Sequence, residues 1–320
     1  MRTFKFVLLL IMVGTFAQPS SAQLGDVLRH ATRAKKAVDI YTPWTAEQEQ
    51  AIGQASAAKL INIFGLYENP DMVKYVNFVG NAVARQGSRS IPYRFGILDS
   101  EVITAVSLPG GYIFVTRGAL ANMHNESELA GTLAHEIAHV DRRHLEKEIR
   151  AQKTTQFATE EAASRVPAGA ELINLAGDII TKALTLQISR DKETEADKLG
   201  VDLAAKTGYD AAGLRNFIQF LAQVPATPET KRQLGLWGST HPPFSERVAA
   251  LTALLPAYSS SGQQLQERYA GNINAVNFAK TFSASQPGGP EMDGIVSKGV
   301  VVLTGGTLPE GSRVKVRVVQ

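Results

Sequence analysis

Two histidines and a glutamate within five residues form the strongest chemical signal in this sequence. They are His135, Glu136 and His139, in the pattern His-Glu-x-x-His. In a helix, side chains four positions apart lie on one face, so the two imidazoles could grip one metal ion. Glu136 would point about 100° around the helix, where it could reach a water at that metal without binding the metal itself. Chance copies of so short a motif occur, so the metal site is a hypothesis that the rest of the chain must support.

A pair of carboxylates further along the chain could complete this site. Glu193 and Asp197 are four residues apart and would share one face of a helix. In isolation such a pair favours a solvated charged face. Beside two histidines it has another use, because catalytic zinc sites typically combine three protein ligands with an open position, and two histidines with one glutamate are a recurring set. A carboxylate one turn further on could accept a hydrogen bond from a ligand imidazole and fix its tautomer.

A third histidine, His241, stands in a loop beside Pro242 and Pro243. Two functional interpretations are open: it could donate a hydrogen bond to an oxyanion, or it could bind the metal as a fourth, inhibitory ligand. The alternative is a structural histidine in a solvent-accessible, proline-rich loop. Arg190 and Arg247 are predicted to be structural ion-pair partners.

The other histidines are predicted to be surface residues: His30, His124 and His144. His144 follows His139 by five positions in the sequence. On a continuous helix this spacing turns it well away from the ligand face.

The metal motif needs a helix, and its flanking residues predict one. Asn125 is a favourable N-cap, and Glu128 stands three positions later, close to the capping-box pattern. An apolar stripe at helical spacing would pack this helix against the core: Leu129, Leu133, Ile137 and Val140.

Two scaffold helices and three strands are predicted before this helix. Thr45 and Gln48 have capping-box spacing and begin a helix towards Phe64, and Asn69-Pro70 begins another that runs to about residue 86. The strands are 93–98, 102–107 and 112–116. An edge strand can bind an extended peptide through backbone hydrogen bonds, and we assign this role to strand 112–116, the alternative being a plain structural meander.

The chain after the metal motif is predicted to be mainly helical. We expect a loose connection over 152–169, followed by helices over 172–186 and from 189 through 203. Two further helices follow, one that begins near Asp210 and another, after a loop, that ends at Leu255. After residue 258 the composition shifts to linkers, a polar helical segment over 263–282, and strands at 300–304 and 314–319.

Composition excludes several classes of protein. The chain has 320 residues, of which 44% are hydrophobic and 20% charged, so a folded protein with a sizeable core is expected. It has no cysteine, which excludes disulfides and a thiolate zinc site. Its net charge of +3 includes two basic residues near the N-terminus. The remainder is nearly neutral, so electrostatics gives no case for a nucleic-acid partner.

The first 22 residues have the layout of a secretory signal. Arg2 and Lys5 precede an apolar run over 6–16, and small residues up to Ala22 suit a signal peptidase. The apolar run is shorter than the roughly 20 residues that span a bilayer. We therefore expect an exported, periplasmic protein, with an uncleaved N-terminal membrane anchor as the alternative.

Taken together, the motifs resemble those of the gluzincin zinc metallopeptidases, the family of HtpX, BepA and the CAAX prenyl proteases. They are similar above all to soluble periplasmic BepA- and LoiP-like members. The resemblance covers about residues 41–255 and rests on four motifs in order: 108–115 (LPGGYIFV), His135 to His139, the segment Ser189-Arg190 through Asp197, and His241-Pro242.

The resemblance implies a role for each site residue. It implies that His135, His139 and Glu193 bind one zinc ion and that Glu136 is the catalytic base. Asp197 matches the family's supporting carboxylate. His241 matches a histidine that can approach the zinc and hold the enzyme inactive.

We therefore predict an α+β fold: a mainly helical zincin-type domain with a small β-sheet beside the His-Glu-x-x-His helix, and a small C-terminal region containing strands. The predicted divisions are a signal peptide (1–22), a zinc metallopeptidase domain (23–258) and a linker with a C-terminal region of unassigned role (259–320).

The predicted function is zinc-dependent endopeptidase action on misfolded or envelope proteins, with the protein or peptide substrate bound as an added β-strand. Peripheral association with the cell envelope and the oligomeric state are left open. The alternative is a zinc-stabilised, non-hydrolytic chaperone or adaptor that binds unfolded chains.

Overall fold

A computed structural model describes residues 42–159, 179–180, 188–225, 227–228, 231–234, 241–258, 261–273, 294–297 and 300–303. The predicted signal, most of the predicted helix 172–186 and the predicted strand 314–319 lie outside the described residues. The chain divides into two compact units, Met1–Ile273 and Asn274–Gln320. In the part that the structure describes, no helix combines the length and the apolar character needed to cross a membrane.

The described part of the first unit is mainly helical. Its helices are α1 (Ala46–Phe64), α2 (Pro70–Ala84), α3 (Arg117–Asn122), α4 (Glu126–Asp141), α5 (His144–Thr159), α6 (Arg190–Lys206), α7 (Gly213–Gln223), α8 (Phe244–Leu254) and α9 (Gln266–Asn272). Its three strands are β1 (Arg94–Leu98), β2 (Ala105–Leu108) and β3 (Tyr112–Thr116). The predicted fold class, helical α+β with a small sheet, is confirmed.

Local cap chemistry sets several helix starts, as the sequence predicts. Thr45 and Gln48 form a reciprocal capping box at the start of α1. The Asn69 side chain accepts a hydrogen bond from the Met72 amide, with Pro70 at the first helical position of α2. The Asn125 side chain likewise accepts from the amide of Glu128 at the start of α4. Each cap satisfies an amide that has no partner inside its own helix.

The sheet has the order β1-β3-β2, with β1 parallel and β2 antiparallel to β3. The prediction that strand 112–116 offers a free edge is therefore wrong, because β3 is hydrogen-bonded on both sides. The edge strand on the side of the metal motif is β2. Strand order depends on pairing between distant residues, which the alternation of side chains within one strand does not record.

Helix α4, which carries the His-Glu-x-x-His motif, is buried along its whole length. Two glycines let neighbouring helices approach it closely. A Cβ atom at Gly200 of α6 would lie 3.0 Å from the backbone nitrogen of His135, and one at Gly131 would lie 2.6 Å from that of Leu214 in α7. The close approach of α6 brings its carboxylates to the histidines of α4.

The connection after α4 differs from the sequence prediction. Helix α4 ends at Asp141, and α5 begins at His144 and continues through Thr159, so residues 152–159 are helical rather than loose. Arg143 between them has a φ angle of 53°. This left-handed conformation is unfavourable for a residue with a Cβ atom, and it turns the chain sharply at the end of the metal motif.

The segment 261–273, here called the C-terminal strap, belongs to the first unit. The carbonyl of Gln264 accepts hydrogen bonds from the amides of Glu126 and Ser127, the first residues of α4. The Arg268 guanidinium bonds the buried Glu126 carboxylate. The predicted functional boundary at residue 258 stays a prediction, but the packing of the first unit continues to Ile273.

The described part of the second unit is a two-stranded antiparallel hairpin of β4 (Gly294–Ser297) and β5 (Val300–Leu303). Its second strand agrees with the strand predicted over 300–304.

Candidate metal centre

Four side chains from three separate parts of the chain meet at one buried point. His135 and His139 come from α4, Glu193 from the first turn of α6, and His241 from the loop before α8. One nitrogen or oxygen of each lies within 4.8 Å of the corresponding atoms of the other three. The Nε2 atoms of His135 and His139 are 3.0 Å apart. Glu193 Oε1 is 3.4 Å from His139 Nε2.

The Glu193 carboxylate indicates what this point is suited to hold. It is 1% exposed, and neither of its oxygens has a hydrogen bond to the part of the chain that the structure describes. Burial raises its pKa to about 7, against the lowering effect of His135 and Arg247. A buried carboxylate normally has hydrogen bonds or a metal. Three imidazoles and one carboxylate are donors that suit zinc, so the residues fit that ion.

Asp197 lies one turn further along α6, behind His135. Its Oδ1 atom is 2.9 Å from His135 Nδ1. Arg247 of α8 donates to both of its oxygens, from Nε at 3.0 Å and from Nη2 at 2.5 Å. Burial would raise the pKa of Asp197, but Arg247 and His135 hold it well below its usual range. A charged Asp197 keeps the proton of His135 on Nδ1, and Nε2 then presents its lone pair to the shared point.

His144 is not a surface residue, and that prediction is wrong. Its side chain is fully buried, and its Nδ1 atom lies 2.9 Å from Nδ1 of His139. Burial lowers the pKa of His144 to about 4. The prediction assumed that α4 continues, whereas the turn at Arg143 directs His144 back towards the metal motif.

Glu136 lines an open cleft of about 650 Å³ beside His139, Glu193 and His241. The apolar part of the other walls comes from β2, the end of α4, the start of α5 and the residue two positions before α6: Val106, Leu108, Val140, Leu145 and Ile188. Three charged residues also line the cleft: Glu49, Arg143 and Glu146. The arrangement therefore places a carboxylate and the candidate metal point beside a cleft that is open to solvent.

The other histidines and arginines that the sequence analysis singled out differ in burial and in their partners. His241 is 9% exposed, so its loop is not solvent-accessible at this residue. His124 is exposed, as predicted. Arg190 forms an exposed ion pair with Glu246 at 3.0 Å, and the predicted ion-pairing role of Arg247 is confirmed by its contact with Asp197. His30 lies outside the described residues.

Comparison with known proteins finds proteases that are similar to this chain in sequence. A putative beta-barrel assembly-enhancing protease of Vibrio cholerae is 33% identical over 189 residues, covering 56% of this chain and 38% of the relative. Metalloprotease YcaL of Escherichia coli is 28% identical, covering 55% and 66%. Mitochondrial metalloendopeptidase OMA1 of Schizosaccharomyces pombe is 26% identical, covering 54% and 50%.

The beta-barrel assembly-enhancing proteases are longer than the matched region, and this chain spans about two fifths of their length. Residues 73–255, more than half of the chain, match Peptidase family M48. The match includes α4, α6 and the loop of His241. It confirms the resemblance predicted from the sequence and, at the level of the family, the predicted class of peptidase: the chain belongs to Peptidase family M48.

Proposed function

We propose that this chain is a zinc-dependent endopeptidase in which His135, His139 and Glu193 hold the zinc ion. The observation that carries the proposal is the buried Glu193 carboxylate, which faces the two Nε2 atoms and has no hydrogen bond to the described residues. A folded protein retains such a group when an ion compensates its burial. Family membership and the adjoining cleft support the same function.

Bound zinc would supply a Lewis acid that polarises the scissile carbonyl and acidifies a nearby water. Glu136 takes the proton of the attacking water as the oxygen adds to the carbonyl carbon. It then passes that proton to the amide nitrogen, whose bond to carbon breaks, and the amine leaves. Asp197 and Arg247 hold His135 in place during these steps.

We further propose that the substrate pairs with the outer edge of β2. In an antiparallel pair, residues alternate between bonding the neighbouring strand and facing outward. The Thr116 amide bonds the Thr104 carbonyl, and the alternation then places the backbone groups of Ala105 and Ser107 outward. Both residues line the cleft next to Glu136. An extended peptide added there would be held by its backbone and so without regard to its sequence.

His241 keeps its two proposed roles, as an oxyanion donor or as a fourth, inhibitory ligand. Its Nε2 atom is 3.8 Å from Glu193 Oε2. This proximity supports the inhibitory role, because a nitrogen so close to the shared point competes with a water or a substrate for the open position that catalysis requires.

For the cellular role we propose the removal of misfolded or envelope proteins by an exported enzyme. The predicted signal over 1–22 supports export, and the names of the Vibrio cholerae and Escherichia coli relatives support an envelope setting. Peripheral contact with the envelope is part of this proposal. A nearly neutral mature chain gives no reason to include nucleic acid among its partners.

The test uses the chain without its predicted signal. We expect about one zinc per chain by elemental analysis, and degradation of casein that a chelator abolishes and added zinc restores. Glu136→Gln should retain zinc and fold but lose proteolysis. If that variant cleaves casein as fast as the wild type, the assignment of Glu136 is wrong. Zinc without any cleavage by either the wild type or His241→Ala would favour the chaperone or adaptor alternative.

A further inference from the structure

We infer that His144 is a positioning residue for His139, the inner link of a relay Glu195–His144–His139 that fixes the tautomer of a zinc ligand. The inference rests on the proposed function, because it assigns His139 to the metal. It adds a residue that lies outside the four-residue cluster and that the His-Glu-x-x-His pattern does not contain.

The contacts form a continuous chain. His139 Nδ1 lies 2.9 Å from His144 Nδ1, and the two rings are nearly perpendicular, at 79°. On the far side of the ring, His144 Nε2 lies 3.3 Å from Glu195 Oε2. Glu195 is itself 3.0 Å from Arg142 Nε through its other oxygen. The relay therefore runs from a half-exposed ion pair to a fully buried imidazole and on to His139.

Only one arrangement of protons satisfies these contacts when His139 binds a metal. Its Nε2 faces His135 and Glu193, so the metal takes that lone pair and the ring proton stays on Nδ1. This proton can be donated only if Nδ1 of His144 accepts it. Neutral His144 then carries its own proton on Nε2, and it donates that proton to the Glu195 carboxylate.

The backbone is arranged to make this contact. His144 is the first residue of α5 and follows Arg143, whose φ angle of 53° lies in the left-handed region. Without this turn α4 would continue, and a residue five positions after His139 would face another direction. Strain of this kind persists where the surrounding structure requires a particular geometry.

The other ligand histidine has an equivalent support. His135 contacts Asp197, and His139 contacts His144 and through it Glu195. Asp197 and Glu195 both belong to α6, the helix that also supplies Glu193. The same helix thus provides one candidate ligand and the outer support of both histidines. Support of this kind commonly changes metal affinity by roughly 10- to 100-fold.

The test measures zinc affinity by competition with a chelator and compares two substitutions of one residue. His144→Leu fills the space but cannot accept a hydrogen bond from His139. His144→Asn is smaller, but its amide oxygen can take the place of Nδ1. We expect the Leu variant to lose roughly 10- to 100-fold in zinc affinity and the Asn variant to recover most of it. A merely structural role predicts the reverse order, because Asn leaves a cavity.

The matched control is His124→Leu, which removes an exposed histidine that is not one of the four clustered residues, and it should leave zinc affinity unchanged. Glu195→Gln should cause a smaller loss than His144→Leu, because Glu195 is half-exposed. Wild-type affinity in His144→Leu, with the wild type binding one zinc, would overturn the inference and leave the proposed function intact. Failure of the wild type to bind zinc would instead overturn the proposed function.

A spectroscopic measurement tests the proton arrangement of the relay in the zinc-loaded wild type. The chain has six histidines, so its imidazole nitrogens can be resolved by ¹⁵N labelling of histidine in the zinc-loaded wild type. The relay predicts one buried neutral ring protonated on Nε2, whose signals disappear in His144→Asn. A proton on Nδ1 of His144 would contradict the relay.

Discussion

Glu193 and Asp197 lie one turn apart on the same helix, yet their surroundings are opposite. Both are buried, but Glu193 has no hydrogen bond to the described residues, whereas Asp197 is bonded by His135 and Arg247. Burial raises the pKa of Glu193 to about 7. At Asp197 the guanidinium of Arg247 overcomes the effect of burial and keeps the pKa low. The Glu193 carboxylate is therefore suited to bind an ion, whereas the charge of Asp197 is already compensated by Arg247.

Substitution of these carboxylates should change metal-free stability in opposite directions. At pH 8 without metal, Glu193→Gln should raise the free energy of unfolding, because it removes an uncompensated buried charge. Asp197→Asn should lower it by about 3–5 kcal/mol, because Arg247 is left buried with a neutral partner. Zinc affinity should fall in both variants, and further in Glu193→Gln, since Asp197 acts only through His135.

Urea unfolding in a chelating buffer and chelator competition measure these two effects. Glu246→Gln is the matched control, because it breaks the exposed ion pair with Arg190 and should change stability by less than about 1 kcal/mol. Equal destabilisation by Glu193→Gln and Asp197→Asn would show that Glu193 has a structural partner and is not held ready for an ion.

The substrate edge can be tested at Ser107. Ser107→Pro removes an amide that faces away from β3, so the sheet should persist while one hydrogen bond to the substrate is lost. We expect kcat/KM for long peptides to fall by about tenfold, the equivalent of about 1.4 kcal/mol. Zinc content should not change.

Ser107→Ala is the control for this prediction, since it removes the hydroxyl and keeps the amide. Peptidase assays on a quenched fluorescent peptide give both values. Equal activity of the Pro and Ala variants would exclude Ser107 from the substrate edge.

His241→Ala should raise proteolysis. One ring nitrogen of His241 lies within 4.8 Å of the other candidate ligand atoms, so removing the imidazole should free a position at the metal. The measurement is the initial rate of casein cleavage at equal zinc occupancy. Loss of activity with zinc retained would instead assign His241 to oxyanion stabilisation, and an unchanged rate would make it a structural loop residue.

The sequence predicts this site where the information is local. The spacing of His135, Glu136 and His139 and the cap at Asn125 depend on residues a few positions apart, and the structure agrees with each. The carboxylates of α6 could be predicted because a metal site with two histidines lacks a ligand.

What the sequence does not predict depends on distant or unusual geometry. The central place of β3 follows from pairing with both β1 and β2, which one strand's pattern does not encode. The burial of His144 depends on a left-handed turn at Arg143, and arginine does not signal such a turn as glycine would. The position of Arg247 behind Asp197 required the packing of α8 against α6.

The attachment of the C-terminal strap should depend on pH through Glu126. Burial would raise the pKa of this carboxyl, but hydrogen bonds from Arg268, Tyr209 and Tyr75 outweigh that effect and lower it. A lowered pKa in the folded state stabilises the protein above the unfolded value of 4.5, and this stabilisation is lost as the pH falls below that value. Glu126→Gln should therefore cost about 1.5–3 kcal/mol at pH 7 and progressively less towards pH 3.

Glu128, two residues further along α4, gives a control of opposite sign. Burial raises its pKa, against the lowering effect of hydrogen bonds with His124. The contribution of Glu128 to folding stability is present below pH 4.5 and is lost as the pH rises. The free energy of unfolding of Glu128→Gln should therefore increase relative to that of the wild type towards pH 7. Urea unfolding of the metal-free proteins between pH 3 and 7 gives both trends. A stability difference for Glu126→Gln that does not change with pH would mean that Arg268 does not hold the Glu126 carboxylate in its charged form.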